Sequence, residues 1–454
     1  MKKILAFIFL ISSFAQAQYT VNGTMSPTID TDWVILYKIE GASQKFIQNS
    51  KIKIDSVAIQ GKKQAIGSFS FTLPESTKVG SYRITYRLEN AGFVDFIFNK
   101  EDVNFGFHPE YANQTVTFTT SKENMLYKDY VDNISTAQQK LDSIQIAGLE
   151  DQSLHLKDEY KQALKTLNSI QKEYLEASNG MYVQPFIKAS LRNNLPEIIE
   201  TPEKYMSNMI GSFFDHIDFN NKTLLNSSFI TDRITDYVFY INYSQDTETQ
   251  QKLFKESVDK VFSKIDNISY KKEIIEFLIN QFETDMNLEL IDYLFDNYYA
   301  KLPANIQDKS FKEEKQALFA AEIGRIAPDF SWKEDGKQLT LSKLNEAENY
   351  LLIFWSTTCS HCLNEVPQVH TFLKENEKVK VIAYSLENDS YGWSSFKKTL
   401  PNWHHVLGLN KWQNKIARTY NVVSTPSYFI LDANKKIIAK PEHLKDVKQF
   451  FAKK

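Results

Sequence analysis

FWSTTCSHCLNEVP, residues 354–367, contains the only two cysteines in a chain of 454 residues. The apolar run Leu351–Trp355 leads into it and reads as a buried parallel strand. The segment 363–375, LNEVPQVHTFLKE, reads as a helix. Cys359 therefore sits where a strand hands over to a helix. Helix N-terminal amides and the macrodipole stabilise an anion there, which lowers a thiol pKa. Cys362 follows one turn later on the same face. That spacing lets Cys359 attack a partner disulfide while Cys362 waits to resolve the mixed disulfide. His361 lies between them and, when protonated, further favours the Cys359 thiolate.

Other uses of a Cys-x-x-Cys pair fit less well. It can be half of a zinc site, but four ligands are the norm and the sequence has no second such pair. His370, His404 and His405 are spaced in no zinc pattern, so no metal is expected. A purely structural disulfide between residues three apart closes too small a loop to stabilise much.

Composition sets the frame. Apolar residues make up 42% and charged residues 24%, with a net charge of −3. These are ordinary values for a globular protein and point to neither nucleic acid nor anionic lipid. The start, MKKILAFIFLISSFAQAQ, joins a basic n-region to a short apolar stretch and an Ala-x-Ala cleavage pattern. It is expected to be a signal peptide over residues 1–17. The mature protein is then periplasmic and does not span the membrane, since no later stretch approaches transmembrane length. In an oxidising compartment, a large protein with a single thiol pair uses it for chemistry more readily than for scaffolding.

Three textures follow. Residues 18–120 carry short β-branched and aromatic runs (VNGTM, WVILYKI, KIKIDSVAI, SFSFTL, SYRITYRL, FVDFIF, VNFGF) between turn residues, which predicts a small antiparallel sandwich or barrel. Residues 121–320 carry helical periodicity in LKDEYKQALKTLNSIQKEYLEA, RITDYVFYINY, LFKESVDKVFSKI, YKKEIIEFLINQF and LELIDYLFDNYYAKL. FFDHIDF, 213–219, reads as a loop or helix end around His216 and not as a metal site. Residues 321–454 alternate strand and helix: LLIFW, a helix, VKVIAYSL, a helix at WQNKIARTY, then SYFILD paired with KKIIAKP across Ala433-Asn434, and a closing helix. That order predicts an α/β fold on a mixed sheet.

These last residues resemble a known family. Residues 324–454 are similar to the thioredoxin fold, in particular to exported thiol-disulfide oxidoreductases of the TlpA/ResA type. The resemblance rests on Trp355, Cys359-Ser360-His361-Cys362, Glu365, Pro367 and Thr425-Pro426, with GRIAPDF and LTLSKL as entry segments. The architecture, a β domain and a helical region before this module, is similar to multidomain members. The resemblance implies Cys359 and Cys362 as the redox pair and Glu365 as the group that tunes them and accepts a proton. It implies Thr425, Pro426, Trp355 and His361 on the substrate side, with Pro426 a cis-proline facing the sulfurs. Two departures stand out: Thr358 replaces the aromatic residue usual before the first cysteine, and Ser360-His361 replaces a Pro-containing pair. His361 resembles the histidine of oxidising enzymes, whereas Glu365 resembles the reductases.

The function that follows is reduction of disulfides in exported proteins, apocytochrome c being one candidate client. No cofactor is expected. A membrane thiol reductant would reset the pair, because the periplasm is kept oxidising. Two alternatives stay open. A peroxiredoxin-like peroxidase shares the fold, and Thr357 and Thr358 suit its motif, but its proline is missing. A non-enzymatic envelope binding protein would carry the thioredoxin module as an appended docking unit.

Overall fold

The computed structural model describes residues 18–452 apart from 60–61, 88–91, 152 and 154. The chain divides after Gln307 into two compact units. The leader expected over 1–17 lies outside the described residues.

The strands of the first unit are β1 (Gln18–Met25), β2 (Trp33–Glu40), β3 (Ser43–Lys51), β4 (Lys53–Ile59), β5 (Lys62–Pro74), β6 (Gly80–Arg87), β7 (Gly92–Phe98), β8 (Val103–Phe107) and β9 (Thr117–Phe118). They form two sheets, ordered β4-β5-β1-β8-β9 and β3-β2-β6-β7. Alternate residues of both sheets, among them Val21, Phe69 and Phe105 from one and Leu36, Ile84 and Phe96 from the other, share one buried core. This is the sandwich expected, with two differences. It is not wholly antiparallel, because β1 and β8 run parallel; the chain between them crosses into the other sheet, which supplies the long connection a parallel pair needs. The run KIKIDSVAI is not one strand either. It spans the joint between β3 and β4, where the N–H of Ile52 donates to the Asp32 carbonyl at 2.9 Å. Strand β3 carries no apolar alternation, since none of its residues is buried, and so gives no period-2 signal.

Helices follow at Lys122–Glu150, Lys157–Ala177, Thr247–Phe262, Ile268–Thr284 and Leu288–Asn297, with shorter ones between. Asp246, Asn267 and Asn287 each accept a backbone N–H as N-cap. RITDYVFYINY is not a plain α-helix: Asp236–Ile241 is a π-helix, and the Asn242 amide donates to the Tyr237 carbonyl at 2.7 Å. His216 lies in a turn with Nε2 2.8 Å from Asn193 Oδ1.

The strands of the second unit are β10 (Ser331–Glu334), β11 (Lys337–Thr340), β12 (Asn349–Trp355), β13 (Val379–Glu387), β14 (His404–Leu409), β15 (Ser427–Asp432) and β16 (Ile437–Ala439). The main sheet is ordered β14-β13-β12-β15-β16. β12 runs parallel to β13 and antiparallel to β15. The mixed sheet is as expected, but β14 is additional. It escapes the apolar pattern because it opens on two histidines. His404 is buried with Nδ1 2.6 Å from Glu334 and Nε2 3.0 Å from Glu346. His405 Nε2 lies 2.9 Å from the Leu400 carbonyl.

Every residue of β12 is buried. Tyr350, Leu352 and Phe354 enter one core, while Leu351, Ile353 and Trp355 enter the other. The helix Ser360–Leu373 covers the second core through Cys362, Val366, Val369 and Leu373. Among the described residues no helix is long and apolar enough to cross a membrane.

Within the first unit, the edge of β7 is closed by a side chain. Buried Asn124 accepts the Ile97 N–H at 2.7 Å and donates to the Ile97 carbonyl at 2.6 Å, as a neighbouring strand would. Asn124→Ala leaves both groups buried without partners. We expect a loss of about 2–5 kcal/mol in unfolding free energy, measured by denaturant titration, against near neutrality for an exposed Asn→Ala elsewhere.

Candidate active site

The end of β12 and the start of the following helix place the two cysteines differently. Cys359 is half-buried and is the N-cap of Ser360–Leu373. Its sulfur accepts the Cys362 N–H at 3.2 Å. Cys362 is fully buried in the core beneath. Both are free thiols. Burial opposes ionisation at Cys359, yet hydrogen bonds from Cys362, from the Thr425 side chain and from the backbone N–H groups of Cys362 and His361 outweigh it and hold the thiol below its ordinary value. At Cys362 burial dominates, reinforced by the hydrogen bond to Cys359, and pushes the thiol up to about 12. Two identical side chains one turn apart are thus set as an ionisable outer thiol and a protonated inner one.

The loop before β15 approaches from the other side. The Thr425–Pro426 peptide is cis. The Cys359 thiol lies 3.3 Å from the Thr425 carbonyl. Thr425 and Pro426 are half-buried, so part of each stays open to solvent beside the sulfur. His361 is exposed on the first helical turn, and its backbone N–H is among the donors to Cys359.

Trp355 corrects an expectation. It is 0% exposed, its ring tilted by 45° against that of Phe396 with centroids 5.1 Å apart. The last residue of a strand covered on both faces packs into the core, so Trp355 lies beneath the site rather than on its open side.

Glu365 is half-buried, and its Oε2 accepts the Tyr428 hydroxyl at 2.9 Å. Tyr428 is 2% exposed, and its hydroxyl is raised far above the usual tyrosine range by burial first and then by Glu365 and both cysteines. Sequence reasoning missed this residue. The signal was available in the register: SYFIL pairs antiparallel with β12 and sets Tyr428 opposite Ile353, on the same core as Cys362. Cys362 owes its raised value first to burial and then to Cys359.

Comparison with known proteins fits this geometry. A Redoxin family model matches residues 322–448. The thiol-disulfide oxidoreductase ResA of Bacillus thuringiensis subsp. konkukian is 30% identical over 148 residues, covering 32% of this chain and 81% of that one. The thioredoxin-like protein YneN of Bacillus subtilis is 27% identical over 110 residues, 24% of this chain and 65% of that one. Among solved structures, a domain of a possible thiol-disulfide isomerase from Cytophaga hutchinsonii is 28% identical with a TM-score of 0.26, covering 29% of this chain and 92% of that one. A thioredoxin-like protein from Bacteroides caccae covers 58% of this chain and 97% of its own at 16% identity and a TM-score of 0.28.

The second unit is thus a thioredoxin-fold redox module with a dithiol at its helix start. The chain belongs to the thiol-disulfide oxidoreductases of the TlpA/ResA type.

The asymmetry of the pair is directly measurable. With the reduced protein, iodoacetamide near pH 7 should label Cys359, and Cys362 should stay unlabelled until the pH nears 12. Equal labelling of both at pH 7, read by peptide mass spectrometry, would contradict the assignment.

Proposed function

We propose that the protein is an exported reductase of disulfides in envelope proteins, working through the Cys359–Cys362 dithiol. The observation that carries this reading is the split between a half-exposed, readily ionised Cys359 and a buried, protonated Cys362. The Cys359 thiolate attacks one sulfur of a client disulfide, and the other client sulfur leaves as a thiolate. Cys362 then loses its proton to Glu365, directly or through water, and attacks the Cys359 sulfur. The second client sulfur leaves, and the enzyme keeps the two electrons' worth of oxidation as a Cys359–Cys362 disulfide. A membrane thiol reductant returns the dithiol.

Thr425 and Pro426 form the wall along which an extended client segment lies, with His361 at its open side. Clients are disulfide-bearing exported proteins, apocytochrome c among the candidates; nucleic acid has no part. Residues 1–17 are removed as a signal peptide, and the mature chain comprises a β domain at 18–120, a helical region at 121–320 and the redox domain at 321–454. Export rests on the leader pattern MKKILAFIFLISSFAQAQ.

Three measurements test the reading. Insulin-disulfide reduction should proceed with dithiothreitol as donor, while peroxide consumption stays at background; the reverse pattern would make the protein a peroxidase. A Cys362→Ala protein should accumulate mixed disulfides on Cys359 in envelope extracts, absent from the double alanine variant. Glu365→Gln should slow turnover by about 10–100-fold through loss of the proton acceptor, with the pH–rate profile moved. Tyr428→Phe should move that profile less, since the carboxylate stays. An unchanged profile in Glu365→Gln would return Glu365 to a structural partner of Tyr428.

A further inference from the structure

A second carboxylate lies below the loop that carries Cys359, and the redox cycle just described does not use it. Glu387 ends β13, the parallel neighbour of β12, and is 4% exposed. Its Oε1 accepts the backbone N–H of Thr357 at 2.6 Å and the Ser385 hydroxyl at 2.7 Å. Its Oε2 lies 3.3 Å from the Ser356 hydroxyl. The loop Ser356–Thr358 is the whole connection between β12 and Cys359, the N-cap of the active-site helix.

The hydrogen bonds in this loop have a fixed direction. Lys411 Nζ is 3.1 Å from Thr358 Oγ1, and an ammonium can only donate. Thr358 Oγ1 is therefore free to donate to Ser356 Oγ, 3.0 Å away. Ser356 Oγ in turn donates to Glu387 Oε2 at 3.3 Å. The Thr358 N–H also donates to Ser356 Oγ at 3.2 Å, and the Cys359 N–H donates to the Ser356 carbonyl at the same distance. A single chain of donors runs from the Lys411 ammonium on one side of the loop to the buried Glu387 side chain on the other, and it passes through the Ser356 hydroxyl.

We infer that Glu387 is a positioning residue for Cys359: it fixes the three residues that aim the sulfur at the helix N-terminus and at the Thr425 loop. A capping hydrogen bond depends on distance and angle, so a loosened loop weakens the donors that hold the thiolate. The sign of the effect separates positioning from charge. If Glu387 acted only through its negative charge, removing it would make Cys359 easier to ionise. If it acts by position, removing it makes Cys359 harder to ionise. This inference extends the reading of Cys359 as the attacking thiol, but its test needs no client.

The experiment is the pH dependence of Cys359 alkylation in the reduced full chain, with thiolate absorbance as a second readout. Glu387→Ala should raise the midpoint, and below that midpoint should slow alkylation by about tenfold, the loss that a rise of one pKa unit gives there. Glu387→Gln, which keeps an acceptor for Thr357 and Ser385 while removing the charge, should recover most of that rate. Thr358→Val cuts the chain at its exposed link and should raise the midpoint by a smaller amount in the same direction; it carries the test if Glu387→Ala does not fold. A midpoint unchanged in the folded variants, whatever their melting temperature, would make Glu387 a scaffold residue only. A lowered midpoint would make it an electrostatic brake; either result overturns the inference. Failure of the attacking-thiol reading would look different: Cys359 of the unmodified protein would then alkylate no faster than Cys362.

Discussion

The redox module hangs on β12. Its seven residues are all buried, with side chains alternating into two separate cores. Each large apolar side chain so placed contributes on the order of 1.5–3 kcal/mol. More important for function is that both edges are paired as well, by β13 on one side and β15 on the other. A strand held on both faces and both edges has no freedom left at its end. Cys359 follows that end after three residues, Glu387 ends one neighbouring strand, and Thr425–Pro426 precedes the other. The groups at the sulfur and at the loop that carries it are brought there by three adjacent strands of one sheet.

From that fixed end, the difference between the two thiols follows from one turn of helix. Cys359, as N-cap, faces amides that have no carbonyl partner in the helix. Cys362, a turn inside, points into the core formed by Trp355, Val366 and Tyr428. Helix geometry puts the first near donors and the second away from solvent. A shift of Cys362 to the exposed face would equalise the pair and remove the asymmetry on which the proposed attack and resolution rest. The burial of Trp355 belongs to the same logic, since a large apolar surface beneath Cys362 is what keeps that thiol protonated.

How much of this was legible in the sequence depended on whether a residue's role is local. The redox pair, the helix start, Pro367 and the strand after Pro426 were readable because each is written in consecutive residues. The β-sandwich was readable from alternation, except at β3, whose residues are never buried and so carry no period. β14 was missed because histidines held by Glu334 and Glu346 stand where an apolar run would announce a strand. Trp355 was misread because strand-end position says nothing about which neighbour covers the ring. Tyr428 and Glu387 could not be assigned to the site, since their partners lie 63 and 30 residues away in sequence and meet only through sheet pairing. Contacts across strands are not a property of any one stretch.

The two carboxylates near the thiols show why proximity alone does not assign a role. Glu387 is almost wholly buried, and its two oxygens already face three donors, from Thr357, Ser385 and Ser356. Those donors leave it little spare acceptor capacity, and it has almost no contact with solvent. Glu365 is half-buried and faces one side-chain donor, Tyr428, through one oxygen. A carboxylate has about four lone-pair sites, so Glu365 retains capacity that Glu387 has spent on structure. Tyr428 also fixes the orientation of Glu365 without supplying a competing charge, because its own hydroxyl stays protonated across the physiological range. Of the two acids, only Glu365 combines contact with solvent, unused acceptor sites and a position three residues from Cys362 on the same helix. On the proposed reading, proton traffic falls to Glu365 and loop geometry to Glu387, so that a change in one need not disturb the other.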